Sequence, residues 1–134
     1  MSNGPVSGNG IACTLPQGKT ALWTATAQAT NNQFVQLRDS RGNIIFTATG
    51  ASVDGHSPTP IGNGSFVAGD PSNNYMLYIG TNGGASWSQV IWDDLPLTYS
   101  GTTKISSYNF ISEDSSDQDF NDLWLSLTWF DHVG

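Results

Sequence analysis

The sequence predicts an all-β protein, specifically an antiparallel β-sandwich. Short apolar runs recur about every 8–12 residues between clusters of Gly, Asn, Ser and Pro, a pattern typical of sandwiches and barrels. No apolar stripe of helical period extends over a useful length. Charged residues make up 11% of the chain, against roughly 25% in an average protein. The polar surface must therefore be mostly Ser, Thr, Asn, Gln and Gly, which suits sheets joined by tight turns.

The chain of 134 residues is long enough for one domain with its own core. Residues 1–10 are rich in Gly, Asn and Ser and predict a flexible N-terminal arm. Residues 11–134 are then expected to form a single β-sandwich domain. The only cysteine, Cys13, rules out an intrachain disulfide and is expected to be a small buried residue in the first strand.

Alternating apolar residues and turn residues place the strands. We expect strands over residues 20–28, 33–38, 44–49, 65–68, 74–79, 86–92, 104–111 and 123–130. The first alternates from Ala21 and Trp23 onward. The second and third flank the segment Asp39–Asn43, where Gly42 can adopt the positive φ of a hairpin connection. Residues 51–64, rich in Gly, Ser, Pro and Asn, are expected to be a loop.

The last strand, residues 123–130, has the clearest alternation. One face carries Leu123, Leu125, Leu127 and Trp129, and the other carries Trp124, Ser126, Thr128 and Phe130. The acidic segment before it therefore joins two strands. Because a strand at each end fixes the segment, gathering its carboxylates costs less entropy than it would in a free tail.

The charge and hydropathy of the chain exclude several classes of protein. The net charge is −7 with only four basic residues, which argues against a general nucleic-acid binder. No run approaches the ~20 apolar residues of a membrane span, so membrane insertion is not expected. The first residues lack the basic and apolar regions of a signal peptide. We expect synthesis in the cytoplasm, with any export to the cell surface or medium by a non-classical route.

The segment 113–122 holds five of the 11 acidic residues of the chain and no Lys or Arg. These five are Glu113, Asp114, Asp117, Asp119 and Asp122, and Asn121 adds a neutral oxygen. Like charges so close together repel unless a cation holds them. Oxygen ligands without Cys or His indicate a hard cation, and Ca²⁺ takes about 6–8 of them. The sequence therefore predicts a calcium-binding loop before the C-terminal strand.

The spacing Asp117-x-Asp119-x-Asn121 is that of the start of an EF-hand loop, but the rest of that motif is missing. Asp122 stands where Gly is needed and Thr128 where Glu is needed, and no helices flank the segment. An EF-hand is therefore rejected. The number of donors favours two ions over one, since two divalent ions balance the local charge better. Phe120 is expected to anchor the loop inward.

The run Ser112–Asp122, the apolar strand with Trp129 and the terminal Gly134 resemble the calcium-dependent fucose/mannose-binding lectins of bacteria, the PA-IIL-like family. A second stretch agrees, in which Thr14-Leu15-Pro16 and an alternating strand are followed by the turn Gln28-Ala29-Thr30-Asn31. Residues 50–100 resemble the family only in their β character. The resemblance implies a lectin-like sandwich, with no enzymatic activity.

Members of this family bind two adjacent Ca²⁺ ions, and two vicinal hydroxyls of a sugar complete the coordination. The resemblance implies that one ion is held by Glu113, Asp117, Asp119 and Asp122, and the other by Asp119, Asn121, Asp122 and the backbone carbonyl of Gln28. The terminal carboxylate of Gly134 would reach the ions of a neighbouring subunit, which implies a homodimer or a higher homo-oligomer. The sugar-binding residues would be Ala29, Thr30, Asp114, Asp119, Asn121, Asp122 and Gly134.

Within this resemblance, Ala29 stands where a hydroxyl side chain would favour fucose, so mannose is expected to be preferred over fucose. Two departures from the family are visible. The tail Phe130–Gly134 is slightly longer than the usual Pro-containing tail, and Ser115 and Ser116 replace a Gly-containing pair.

Two alternatives remain open from the sequence. One is a calcium-stabilised structural or adhesion module, in which protein atoms fill every coordination position. The other is a glycosidase using a carboxylate pair such as Glu113 and Asp122, although bound cations would lower the pKa values that such a pair needs. His56 and His132 are isolated and are interpreted as loop or tail residues. Trp87, Trp92 and Tyr99 could stack on sugars, but such aromatic residues are more often core.

Overall fold

A computed structural model describes residues 3–114 and 119–132. Twelve β-strands and one short 3₁₀ turn, Asn82–Gly84, occur in these ranges. The strands are β1 (Asn3–Ser7), β2 (Asn9–Thr14), β3 (Thr20–Ala27), β4 (Gln33–Asp39), β5 (Ile44–Gly50), β6 (Thr59–Val67), β7 (Asn74–Thr81), β8 (Ser86–Trp87), β9 (Gln89–Asp94), β10 (Leu97–Tyr99), β11 (Thr102–Glu113) and β12 (Leu123–Phe130).

The strands form two antiparallel sheets, which confirms the predicted sandwich. The first sheet has the order β1-β9-β11-β12-β3-β6, with β10 paired to β11. The second has the order β2-β7-β4-β5, with β8 paired to β7. Within the first sheet, β12 lies between β11 and β3. Its first residue, Leu123, pairs with Ser112 of β11 on one side and with Ala27 of β3 on the other.

The core lies between the two sheets and follows the predicted alternation. In β12, the four residues Leu123, Leu125, Leu127 and Trp129 are buried. The second sheet contributes Val35, Leu37, Leu77 and Ile79, which are all fully buried. Apolar side chains from both inner faces thus pack against each other, which is the main favourable contribution to folding.

Trp23 of β3 connects the two sheets. Its ring stacks on that of Phe46 with centroids 4.0 Å apart and planes 6° from parallel. Gly62 and Gly64 on the neighbouring β6 make room for it, because a Cβ at either position would come within 2.9 Å of the Trp23 ring. These glycines are therefore required by packing. Because glycine is common in loops, their presence led the sequence to predict a loop where β6 runs.

Several expectations about local structure were wrong. Residues 3–10 are not a flexible arm, since β1 pairs with β9 and most of β2 precedes Cys13. Gly8 makes the connection, because its N–H donates to the Ser88 carbonyl at 2.7 Å and its carbonyl accepts from the Ile79 N–H at 2.9 Å. A side chain at Gly8 would collide with the Ile79 carbonyl, so a residue read as flexible is in fact one of close backbone approach.

The expected loop 51–64 is also shorter than predicted, since β6 begins at Thr59. The expected strand 86–92 is divided at Ser88, where the chain passes from the second sheet to the first. The short β10 was not predicted. Cys13 is buried as expected, in β2, and burial raises the pKa of its thiol to about 12.

The aromatic residues considered as stacking platforms have different environments. Trp92 is partly buried and packs on the core beside Tyr108 and Phe110. Trp87 is partly exposed and packs against Tyr78, whereas Tyr99 is largely exposed. In the part of the chain that the structure describes, no helix has the length and apolar character needed to span a membrane.

Candidate functional site

The ends of three neighbouring strands, β3, β11 and β12, lie side by side at one end of the first sheet and position the candidate site. The N–H of Gln28, just after β3, donates to the Asp122 carbonyl at 2.9 Å. The N–H of Asp122 donates to the Ser112 carbonyl near the end of β11 at 3.0 Å. Backbone hydrogen bonds between β3, β12 and β11 thus continue beyond the last residues of these strands. They hold the turn after β3 and both ends of the acidic segment together.

Three carboxylates cluster at this end of the sheet. Glu113, Asp114 and Asp122 each place a carboxylate oxygen within 4.8 Å of the others. Glu113, from the acidic segment, is only 1% exposed. One of its oxygens accepts a 3.1 Å hydrogen bond from the Phe120 N–H. Burying a carboxylate is costly, so a cation bound at this cluster would stabilise it.

Asp122 shows the electrostatic effect of the cluster. Burial of its carboxyl, together with the neighbouring carboxyls of Asp114 and Glu113, raises the pKa of Asp122 to about 7. The Asp114 backbone N–H, which donates to Asp122 Oδ2 at 2.8 Å, opposes the rise. A nearby cation would lower this pKa by favouring the charged carboxylate. The donor set, all oxygen, therefore fits a hard divalent ion such as Ca²⁺.

Phe120 turns the acidic segment. It has a positive φ of 52°, which is uncommon for a bulky residue. Its side chain lines an apolar cavity of about 440 Å³ together with Pro60, Leu123 and Trp124. Phe120 is half-buried and lines this cavity with Trp124 of the outer face, so the inward anchoring stays a prediction. Asp119 and Asn121, on either side of it, line a different and polar cavity.

The polar cavity, of about 430 Å³, opens beside the carboxylate cluster. Its lining consists of Gln28, Ala29, Thr30, Asn31, Gly55, His56, Asp114, Asp119, Asn121 and Asp122. No Lys or Arg is among these described residues. Seven of the predicted sugar-site and metal-site residues therefore line one cavity: Gln28, Ala29, Thr30, Asp114, Asp119, Asn121 and Asp122. Glu113 lies beside them in the carboxylate cluster. Asp117 and Gly134 lie outside the described residues.

Asp114 is held by side chains from the turn after β3. The Asn31 amide donates to Asp114 Oδ2 at 3.2 Å, and the Gln33 amide donates to the same oxygen at 3.1 Å. The Gln33 amide also donates to the Asn31 carbonyl at 3.1 Å, and Gln33 is fully buried. The orientation of Asp114 at the cavity is thus fixed by two residues that precede it in the chain by 83 and 81 positions. Gln33 could not be identified from the sequence, because its burial depends on contacts from distant segments.

The sequence analysis also missed the loop 51–58 as part of the site. The Ser52 N–H donates to the Ala29 carbonyl at 2.8 Å, so the loop is bonded to the turn after β3. A Cβ at Gly55 would lie 2.5 Å from Thr30 Cγ2, which shows how closely the two segments approach. His56, interpreted from sequence as an isolated loop residue, lines the cavity. Nothing local in the sequence indicates this contact.

Comparison with known proteins identifies the family and agrees with the fold. A family model described as fucose-binding lectin II (PA-IIL) matches residues 13–131. The chain belongs to the fucose-binding lectin II (PA-IIL) family. The resemblance seen in the acidic segment and the Gln28–Asn31 turn is therefore confirmed at the level of the family. As a member of this family, the chain is a carbohydrate-binding lectin.

Solved structures of PA-IIL-like lectins share the fold. The Chromobacterium violaceum lectin CV2L, in complex with α-methyl-fucoside, is 21% identical with a TM-score of 0.71, over 92% of this chain and 96% of that one. The C-terminal domain of the BC2L-C lectin from Burkholderia cenocepacia is 20% identical with a TM-score of 0.73, over 96% and 100%. A high-affinity mannose-binding lectin from Ralstonia solanacearum is 24% identical with a TM-score of 0.68, over 92% and 96%. No curated protein sequence gives a significant match.

Proposed function

We propose that this PA-IIL family member is a calcium-dependent lectin in which two adjacent Ca²⁺ ions and the surrounding acceptors bind the vicinal hydroxyls of a monosaccharide. The observation that carries the proposal is the cluster of three carboxylates beside a polar cavity, in which Glu113 is buried and Asp114 and Asp122 are half-buried. The proposed ion ligands are Gln28, Glu113, Asp117, Asp119, Asn121, Asp122 and Gly134. Bound calcium would supply charged positions at which two hydroxyls of one rigid ring replace two waters at little ordering cost.

The described residues have different roles in the proposed binding of calcium and sugar. Glu113 is buried and so is suited to hold an ion without touching the sugar. Asp114 lines the cavity with its carboxylate fixed by Asn31 and Gln33. A fixed carboxylate accepts hydrogen bonds from sugar hydroxyls without first being ordered, and charge-assisted hydrogen bonds are the stronger kind.

Mannose is the proposed preference over fucose. Ala29 in the cavity lining has no side-chain hydroxyl to offer a fucose-specific partner. Among structural relatives, one is described as a mannose-binding lectin and another is bound to a fucoside. The preference proposed here therefore rests on Ala29 and its neighbour Thr30.

A structural calcium module is the second candidate, and the shape of the site argues against it. Such a module would fill every coordination position with protein. Here Asp119 and Asn121 are exposed and line an open cavity, which supports accessible coordination positions. A glycosidase is disfavoured because Glu113, one of the two candidate carboxylates, is 1% exposed and cannot meet a substrate.

A homodimer is proposed from the outer face of the first sheet. Trp124 near the candidate site is 47% exposed, and Phe130 at the opposite end of β12 is 63% exposed. An apolar groove beside Trp124, lined also by Pro60 and Ile111, adjoins the site. A two-fold axis across β12 would bring Phe130 and the chain terminus of one subunit to the groove and the ions of the other, since in such interfaces the contacts are reciprocal. The proposed role of the Gly134 carboxylate requires this arrangement.

Calorimetry with methyl α-mannoside and methyl α-fucoside tests the lectin proposal. We expect binding in Ca²⁺, loss of binding with EDTA and recovery when Ca²⁺ is restored, with tighter binding of the mannoside. Titration of Ca²⁺ into the metal-free protein should give about two ions per subunit, as the donor count requires. Calcium uptake without binding of either sugar would favour the structural module instead.

A further inference from the structure

The loop 51–58 holds His56 at the cavity in a fixed position. Asp54 Oδ1 accepts hydrogen bonds from the N–H groups of His56 at 2.9 Å and Ser57 at 2.7 Å. Ser52 Oγ donates to the Ser57 carbonyl at 2.8 Å, which closes the loop. The loop therefore needs little ordering when a ligand arrives, and preorganised contacts cost less binding entropy.

The acidic side chains of the cavity cannot supply one kind of hydrogen bond that a sugar needs. Asp114, Asp119 and Asp122 are carboxylates and, when ionised, only accept hydrogen bonds. A sugar hydroxyl can donate to them, but the ring oxygen and the glycosidic oxygen carry no hydrogen and need a donor. Ala29 has no donor in its side chain, and one of the two N–H groups of the Asn31 amide donates to Asp114.

Besides the second N–H of Asn31, the side-chain donors in the lining are those of Gln28, Thr30 and His56. The methyl carbon of Thr30 packs on the loop, since a Cβ at Gly55 would lie 2.5 Å from it. Gln28 borders the apolar groove as well as the polar cavity. His56 has a ring N–H in either tautomer and also when protonated, so it can donate in every state.

From this we infer that His56 is a specificity-determining residue of the sugar site, donating a hydrogen bond from its ring to an acceptor-only oxygen of the bound glycoside. The inference rests on the proposed lectin function. It assigns to the loop 51–58 the donor role that Ala29 cannot take, and it makes pyranosides with an intact ring or glycosidic oxygen the preferred ligands.

The test compares wild type, His56→Ala, His56→Phe and the control Val53→Ala by calorimetry in Ca²⁺. Val53 is in the same loop, is 80% exposed and does not line the cavity. The ligands are methyl α-mannoside, its analogue with sulfur in the ring, and its analogue with CH₂ in place of the glycosidic oxygen. His56→Ala and His56→Phe should weaken mannoside binding by about three- to tenfold, the effect of one neutral hydrogen bond, with unchanged Ca²⁺ titrations. Val53→Ala should bind as wild type.

The analogues identify the oxygen. Wild type should bind one of the two analogues more weakly than methyl α-mannoside. His56→Ala should bind that analogue and methyl α-mannoside with equal affinity. Weaker binding of that analogue that persists in His56→Ala, wild-type affinity in His56→Phe, or a weakened Ca²⁺ titration in His56→Ala would each overturn the inference while the lectin proposal stands. Absence of binding of both methyl α-mannoside and methyl α-fucoside by wild type would overturn both.

Discussion

The side-chain amide of Gln33, which is fully buried, donates a 3.1 Å hydrogen bond to the carboxylate of Asp114 at the polar cavity. The same amide donates to the Asn31 carbonyl, so one residue fixes both the carboxylate and the turn beside it. Gln33 itself does not line the cavity. A residue outside the lining thus fixes the orientation of a carboxylate within it.

Replacing Gln33 by Met keeps the length of the side chain and removes both donors. Hydrogen bonds to charged groups contribute about 1.5–3 kcal/mol, and part of that loss should reach the ligand through a mobile Asp114. We expect Gln33→Met to weaken sugar binding by about tenfold. Calorimetry in saturating Ca²⁺ measures this.

Gln36→Met is the matched control for that substitution. Gln36 lies in the same strand, is also buried and donates to Thr47 Oγ1 at 3.1 Å, away from the cavity. Both variants should lose some thermal stability, but only Gln33→Met should lose sugar affinity. Equal sugar affinities in the two variants would show that Gln33 has a purely structural role.

Gly62 is expected to be essential for packing. A Cβ there would lie 2.9 Å from the Trp23 ring and 3.0 Å from the Ala48 Cβ, neither of which has free space to move into. Overpacking of this kind costs about 1–3 kcal/mol. Gly62→Ala should therefore lower the free energy of unfolding by about that amount, measured by urea denaturation. At Gly69 the nearest atom to such a Cβ is 4.0 Å away, so Gly69→Ala should change stability little.

Asp70 predicts a dependence of stability on pH. Its carboxylate is 7% exposed and accepts hydrogen bonds from the Ser40 N–H at 2.7 Å and from the N–H and hydroxyl of Ser72. Hydrogen bonds from Ser40 and then Ser72 hold the pKa of Asp70 well below its usual range. The folded state thus favours the charged form. This stabilisation is full above the unfolded pKa of about 3.9 and is lost as the pH falls toward the folded pKa.

The test is the midpoint of thermal unfolding between pH 7 and pH 2 for wild type and Asp70→Asn. The amide cannot gain or lose this charge, so the variant should be less stable than wild type at pH 7, and the difference should shrink as the pH falls below 4. A constant difference across the range would mean that the charge of Asp70 contributes nothing to the stability of the folded state.

The sequence predicted the acidic segment, the strands that flank it and the turn at Gln28, because each is a local pattern. It also identified the inward-facing residues of β12, since alternation follows directly from strand geometry. It could not identify His56 and Gln33, whose roles depend on contacts between segments far apart in the chain. β1 and the start of β6 were missed for a related reason, since Gly8 and Gly62 are selected for close approach and locally resemble loop residues.

Trp124 and Phe130 provide the last prediction, on assembly. Both are large apolar residues exposed on the outer face of β12, one at each end of the strand. The apolar groove beside Trp124, lined also by Pro60 and Ile111, enlarges the exposed apolar surface at one end, and larger apolar patches mark interaction sites. If two subunits pack these faces antiparallel, a charge at Phe130 would be buried next to the partner's groove. Phe130→Glu should then convert the dimer to a monomer in analytical ultracentrifugation.

The same variant also separates the dimer from the metal site. Residue 130 is at the far end of β12 from the carboxylate cluster, so calcium binding by the ligands of one subunit should remain in the monomer, while sugar affinity should fall because the partner's Gly134 carboxylate is removed. Adding two alanines after Gly134 provides the matched control, since it should weaken sugar binding in the same way and leave the dimer intact. A Phe130→Glu protein that sediments as wild type would exclude this face as the interface, and an extended chain with unchanged sugar affinity would exclude the terminal carboxylate as a ligand.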